Sequence, residues 1–170
     1  MPRAANATAL EVDDDDRFQR REWRIQRVSW LVLGLVLLAA LLGAFGGGPL
    51  AHATAGASGV PAVLDYDRFL RFASPTELRL ILDPSAIRPD GVAHVWLPHR
   101  YLDRVDVRRV TPEPQRVTGG ASGVMYEFLL TPGQAGVISM VVQPERAGML
   151  AGQIVLADRR GLTFRQFVYP

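Results

Sequence analysis

One long apolar run constrains the fold of this chain more than any other feature. It extends from Val28 to Phe45 and contains no charged residue, no Asn and no Gln. Its eighteen residues would form a helix of about 27 Å, which nearly matches a hydrocarbon core of about 30 Å. No charge occurs between Arg27 and Asp65. The sequence therefore predicts a transmembrane helix here, within one juxtamembrane and transmembrane helix over 16–47.

Positive charge flanks only the N-terminal side of this run, at Arg20, Arg21, Arg24 and Arg27. Basic residues close to a membrane helix stay on the cytoplasmic side of the membrane. We therefore predict a single-pass protein of the cytoplasmic (inner) membrane with its N-terminus in the cytoplasm. Residues 1–15 lack hydrophobic periodicity and predict a disordered cytoplasmic tail. The acidic run Asp13–Asp16 favours the start of a helix, because carboxylates are stabilised at helix N-termini.

A signal peptide that is removed after export is the alternative to an uncleaved anchor. The small residues of 51–55 would suit a cleavage site, with the cut near Ala53. The segment before the apolar run is long for a signal peptide, and the run exceeds the usual apolar length of about 7–15 residues. These features favour a signal anchor and leave cleavage near Ala53 open.

Beyond the apolar run, the composition changes twice. Residues 48–62 are small and rich in Gly and Ala, which predicts a flexible tether. His52 lies in this stretch, and we expect no partner for it. Residues 63–170 consist of short alternating segments separated by Gly and Pro, which predicts an extracytoplasmic all-β domain. Strands are expected at 63–72, 76–82, 92–97, 104–110, 124–130, 137–142, 150–157 and 162–169.

Seven or eight short strands in such a domain are typical of a β-sandwich of immunoglobulin-like architecture. In 76–82, for example, Leu78, Leu80 and Leu82 fall on one face, as in a half-buried strand. The Cys pair and the central Trp pairing of true immunoglobulin domains are absent. The prediction is therefore limited to the architecture.

The composition argues against several functions. The chain has no Cys, so it has neither disulfides nor thiol chemistry. All 19 basic residues are Arg, a bias that points to a bacterial genome rich in GC. The net charge is only +2, and no cluster of Arg with interleaved aromatics occurs in 63–170. Nucleic acid is therefore not expected as a partner.

Candidate chemical residues are few. His94 and His99 are the most ligand-like pair, but a metal site needs three or four converging ligands. Asp65 and Asp67 would share one face of a strand, as paired catalytic carboxylates do, yet no nucleophile accompanies them. The sequence predicts no catalytic residue, no metal ligand and no cofactor. The methionines Met125, Met140 and Met149 are interpreted as core or near-core residues.

Two features point to association. Phe164, Phe167 and Tyr169 in the last strand are candidates for a contact surface, or for core positions on alternate faces. Ala39, Gly43 and Gly47 recur at a spacing of four, which permits close helix packing and a possible homodimer. The lipid bilayer and a protein of the membrane or envelope are the expected partners.

The run DYDRFLRFASPTELRLIL at Asp65–Leu82 and the ending FRQFVYP at Phe164–Pro170 resemble parts of uncharacterised bacterial single-pass membrane proteins with a small extracytoplasmic β-sandwich domain. The resemblance covers the outer domain. It implies the architecture, but it implies no activity and no site residue.

The leading hypothesis is a membrane-anchored, extracytoplasmic interaction or scaffold module. One alternative is a ligand-sensing module that signals through the transmembrane helix. It would need a pocket in the sandwich with converging polar groups. A second alternative is a membrane-anchored hydrolase, which would need a nucleophile within hydrogen-bond reach of a base.

Overall fold

The computed structural model describes residues 16–41, 51–157 and 161–170. Helix α1 spans Asp16–Leu41. Its residues 16–38 belong to one compact unit, whereas the strands belong to a second unit. The predicted tail over 1–15 lies outside the described residues, as do Gly43 and Gly47 of the proposed helix-packing spacing.

Helix α1 covers 16–41 of the helix predicted over 16–47, and the remainder lies outside the described residues. Its start at Asp16 agrees with the preference of carboxylates for helix N-termini. The guanidinium of Arg27 lies 4.2 Å from the ring centroid of Trp23. Among the described residues, no helix has both the length and the apolar character needed to cross a membrane. The transmembrane helix predicted for Val28–Phe45 is therefore not confirmed, and the last four residues of that run lie outside the described part.

The second unit contains eleven strands and a short helix within the described residues. The helix, α2, spans His99–Leu102. The strands are β1 His52–Gly56, β2 Ala62–Asp67, β3 Phe69–Arg71, β4 Thr76–Leu82, β5 Val92–Pro98, β6 Val105–Thr111, β7 Arg116–Gly119, β8 Gly123–Leu129, β9 Gly136–Pro144, β10 Gly148–Leu156 and β11 Gly161–Tyr169.

These strands form two sheets, which confirms the β-sandwich. One sheet has the order β1-β2-β4-β9-β6, and the other has the order β3-β11-β10-β5-β8-β7. The predicted number of strands, seven or eight, is too low. The sheets of five and six strands also exceed the four and three strands of a constant-type immunoglobulin domain.

Three short strands account for the difference. Strand β1 lies inside the stretch 48–62 that was predicted to be a flexible tether, and all five of its residues pair with β2. The predicted strand 63–72 divides after Asp67, so that β2 and β3 belong to different sheets. Strand β7 lies within a segment without a predicted strand. Backbone pairing with a neighbouring strand holds these short strands in place. Their side chains are small or exposed, so the sequence shows little apolar periodicity there.

The space between the sheets is filled by alternating side chains, as the sequence predicts. Leu78, Leu80 and Leu82 of β4 are buried, and so are Ala93, Val95 and Leu97 of β5. These residues belong to one apolar cluster with buried side chains of β8 to β11. The register of each central strand is fixed because a slip of one residue would turn its apolar face to solvent.

One buried polar group connects the two sheets. The side chain of Gln166 on β11 is only 1% exposed. Its Nε2 donates to the backbone oxygen of Asp67 at 2.9 Å, and its Oε1 accepts from the hydroxyl of Tyr101 at 3.2 Å. Burial raises the pKa of the Tyr101 hydroxyl, which keeps the hydroxyl neutral and able to donate.

Candidate functional site

The two histidines proposed as a pair have separate partners. His94 lies on β5, and its Nε2 is 3.7 Å from Oε1 of Glu127 on β8. His99 lies in α2, and its Nε2 is 2.8 Å from the backbone oxygen of Gly120. Within the part of the chain that the structure describes, no three His, Asp or Glu side chains are grouped so as to hold a metal ion.

Asp65 and Asp67 both lie on β2, but their neighbours differ. Asp67 Oδ1 contacts Nδ1 of His52 at 2.5 Å, and its Oδ2 accepts from the hydroxyl of Thr76 at 3.0 Å. Asp65 pairs in register with Thr54 on one side and with Arg79 on the other. The expectation that His52 lacks a partner is therefore wrong, because β1 brings it across from Asp67.

The contacts of Asp67 do not form a nucleophilic triad. In such a triad the imidazole lies between the hydroxyl and the carboxylate and takes the hydroxyl proton. Here the carboxylate of Asp67 lies between the hydroxyl of Thr76 and the imidazole of His52. The imidazole is thus not placed to activate that hydroxyl. The hydrolase alternative and the expectation of no enzymatic activity both stay predictions.

The three aromatic residues of the last strand point in two directions. Phe164 is buried in the core, where its ring centroid lies 5.3 Å from those of Tyr66 and Tyr101. Phe167 faces the opposite way and is 42% exposed, while Tyr169 is half-buried. Of the three candidates, Phe167 is the one that presents a large apolar surface to solvent.

Phe167 belongs to a row of apolar side chains that crosses three strands. In the sheet register, Phe167 pairs with Phe69 on β3 and with Met149 on β10. Met149 is 57% exposed. The next residue of each strand is buried (Leu70, Val168 and Leu150), so alternation directs the row away from the core. We call Phe69, Phe167 and Met149 the apolar row.

An open groove of about 810 Å³ includes the apolar row in its lining. Three arginines also line it: Arg68 at the β2–β3 corner, Arg165 on β11 and Arg100 in α2. We call these the groove arginines. Nη2 of Arg100 donates to Oε1 of Gln153 at 2.8 Å, which fixes the guanidinium beside β10. The groove thus combines exposed apolar surface with three positive charges.

No carboxylate lines the groove among the described residues. The ion pairs in the described part of the chain involve other cations: His52, Arg88, His94, Arg108 and Arg116. The bond of Arg100 goes to a neutral amide. The groove arginines therefore keep their charge available to a partner.

The sequence identified Phe167 as a candidate contact residue, but it did not identify Phe69, Met149 or the groove arginines as its neighbours. Met149 was interpreted as a core or near-core residue, which is wrong because it is more than half exposed. Its alternation with the buried Leu150 was a visible signal, but the predicted strand began at Leu150, two residues after the start of β10 at Gly148. No sequence pattern indicates that Arg68 and Arg100 lie near β11. The corner between β2 and β3 places Arg68 there, and the short helix α2 places Arg100 there.

Comparisons with solved structures give a fold likeness, and those with families and curated proteins give no match. No protein-family model matches the chain, and no curated protein matches it. Among solved structures, the chain is similar to a "Cohesin module from Clostridium perfringens ATCC13124 family 33 glycoside hydrolase" with a TM-score of 0.42 and 9% identity. The match covers 68% of this chain and 98% of that module. A likeness of this size does not identify a function for this chain.

The ligand-sensing alternative finds no specific support in these residues. The space between the sheets is occupied by the apolar cluster, and the groove that contains the apolar row and the groove arginines is open at the surface. The homodimer also stays a prediction.

Proposed function

We propose that the protein is a membrane-anchored, extracytoplasmic protein-interaction or scaffold module, whose partner is a protein of the membrane or envelope. The observation that carries the proposal is the apolar row. Phe167 and Met149 are strongly exposed side by side, and Phe69 continues the row on the neighbouring strand. Contiguous apolar surface of this kind marks sites that another molecule covers, and buried aromatic anchors dominate the energy of protein interfaces.

The anchor rests on the sequence run Val28–Phe45 and on the arginines before it. The pairing of β1 supports an uncleaved N-terminal segment. All five residues of β1 pair with β2, so cleavage near Ala53 would remove part of β1. The corresponding edge of β2 would then be unpaired, and unpaired edges are prone to join other chains.

The interaction is tested by photo-crosslinking in the native host, with p-benzoylphenylalanine placed at Phe167 of the full chain. We expect an adduct with one identified membrane or envelope protein. The matched control places the probe at Leu129, which is 53% exposed on β8 of the same sheet. Phe167→Ser is expected to weaken binding to the identified partner by about thirtyfold, the effect of losing a hot-spot residue, whereas Leu129→Ser leaves it unchanged.

Equal adducts from positions 167 and 129, or no adduct from 167, would overturn the proposed interaction. Expression of each variant at the wild-type level, with an unchanged thermal unfolding midpoint, excludes loss of folding as the cause. Because Phe167 and Leu129 are both exposed, neither serine should disturb the core.

The anchor is tested separately by replacing Leu33 and Leu37 with Arg. One such charge at the centre of a spanning helix costs about 2.5–3.5 kcal/mol. The double variant should therefore leave the membrane fraction after a carbonate wash, while the wild-type chain stays in it. Val117→Arg, at an exposed position of β7, is the control and should stay with the membranes. Wild-type chain in the soluble fraction, or a mature N-terminus near Ala53, would contradict the anchor.

A further inference from the structure

We propose that the groove binds an extended acidic peptide segment that carries at least one large apolar side chain. This inference rests on the proposed interaction function and adds the chemical class of the partner. The apolar row supplies a place for the apolar side chain. The groove arginines, Arg68, Arg100 and Arg165, supply the complementary charge.

The absence of carboxylates from the described groove lining is a local property. The residues 63–170 contain thirteen Arg and eleven acidic residues, so the domain as a whole is nearly balanced. Elsewhere in the described chain, some arginines pair with acids, for example Arg88 with Asp90 and Arg108 with Asp106. Positive charge beside exposed apolar surface steers an acidic partner to the groove and disfavours a basic one.

Guanidinium groups also fit carboxylates geometrically. The planar donor fork of Arg binds the two oxygens of a carboxylate in parallel, and such charge-assisted bonds are stronger than neutral ones. The solvent-exposed bond from Arg100 to Gln153 places one guanidinium beside β10, at the groove.

The form of the groove favours a peptide over a membrane surface. A lipid bilayer presents a broad surface to apolar side chains, whereas Phe69, Phe167 and Met149 line a concave groove. Strand β3 borders the groove as the last strand of its sheet. An extended peptide beside such an edge can add backbone hydrogen bonds to its side-chain contacts.

Binding is measured by fluorescence anisotropy with the full chain in a zwitterionic detergent. The probe is a labelled seven-residue peptide that contains Asp, Glu and two Leu. One control peptide replaces Leu by Ser, and another replaces the acids by Arg. We expect binding of the first peptide alone, with an affinity that falls as salt rises. Arg165→Gln should weaken the peptide affinity about tenfold, the effect of losing one charge-assisted hydrogen bond, and Phe167→Ser should weaken it by at least as much.

Matched variants separate the groove from a general charge effect. Arg79→Gln removes the same charge from an exposed position of β4 in the other sheet, and Leu129→Ser removes an exposed apolar side chain from β8. Neither should change the affinity. Equal weakening by Arg79→Gln and Arg165→Gln, or equal binding of the peptide with Ser, would overturn the proposal.

One other occupant is an outcome of the same experiment. Binding to phosphatidylglycerol vesicles that depends on Phe167, without peptide binding, would assign the groove to a lipid surface and would overturn the proposed partner class. A specific adduct from position 167 combined with failure of every acidic peptide would refute this inference alone and leave the interaction function standing.

Discussion

Replacing Gly152 by Ala is expected to lower the free energy of unfolding of the β-domain by about 3 kcal/mol, the upper part of the range for an overpacked core. Gly152 on β10 pairs with Phe164 on β11, and a Cβ added to it would fall on the Phe164 ring. That ring is in contact with Tyr66 and Tyr101, whose centroids are 5.3 Å away. It therefore cannot move without displacing other core rings.

Urea unfolding of the full chain measures this effect. Replacing Trp23 and Trp30 by Phe leaves Trp96 of β5 as the only Trp of the three, so its emission reports on the β-domain. The control is Gly119→Ala on β7, where an added Cβ meets nothing within 4 Å. Both changes reduce the entropy of the unfolded chain equally. Their difference isolates the clash with the ring.

A second substitution tests the mechanism. Phe164→Leu in the Gly152→Ala background removes the ring that the new methyl group would strike. The double variant should lose less stability than the sum of the two single losses, because residues in contact are not additive. Equal stability of the Gly152→Ala and Gly119→Ala chains would show that the core accepts the methyl group without strain.

The sequence predicts the central strands well because their burial imposes a pattern. In β4, the alternation of Leu78, Leu80 and Leu82 with exposed Glu77 and Arg79 follows from one buried face. The inward side chains of β5 and β8 follow in the same way. Each of these strands contributes large side chains to the core, and the period of two is therefore visible locally.

The edge strands have no comparable signal. Strand β1 has the sequence HATAG, and its small side chains resemble those of a tether. Its position depends on pairing with β2, and the position of β3 depends on parallel pairing with β11. Pairings between distant segments are tertiary properties, which override local preference. The strand count and the start of the domain were predicted wrongly for this reason.

Only part of the groove could be predicted from the sequence. Alternation within β11 separates Phe164 from Phe167, so an exposed aromatic residue in the last strand is foreseeable from the sequence. The row of Phe69, Phe167 and Met149 is not foreseeable, because it needs the register of three strands. The position of Arg100 is not foreseeable either, because Arg100 lies in α2 and its bond to Gln153 joins two separate elements.

Raising the pH above about 10, the pKa of a Tyr in an unfolded chain, is expected to destabilise the β-domain. The chain has no Lys and no Cys, so tyrosines are the side chains that ionise in this range. Burial raises the pKa of Tyr101 above its ordinary value. The unfolded chain therefore loses this proton first. The stabilisation is fully present below pH 10 and falls above it by about 1.4 kcal/mol per pH unit, until the folded hydroxyl ionises.

Tyr101→Phe is expected to remove most of this alkaline slope and to cost about 1–3 kcal/mol at pH 7, because the buried Oε1 of Gln166 loses its donor. Urea unfolding at pH 7 to 12 measures both effects through the emission of Trp96.

A shallower slope of the same sign should persist, because burial also raises the pKa of the less buried Tyr126. Tyr126→Phe is therefore the matched control and should remove only that smaller part. If Tyr101→Phe kept the full slope, the buried hydroxyl that joins α2 to β11 would not be its source.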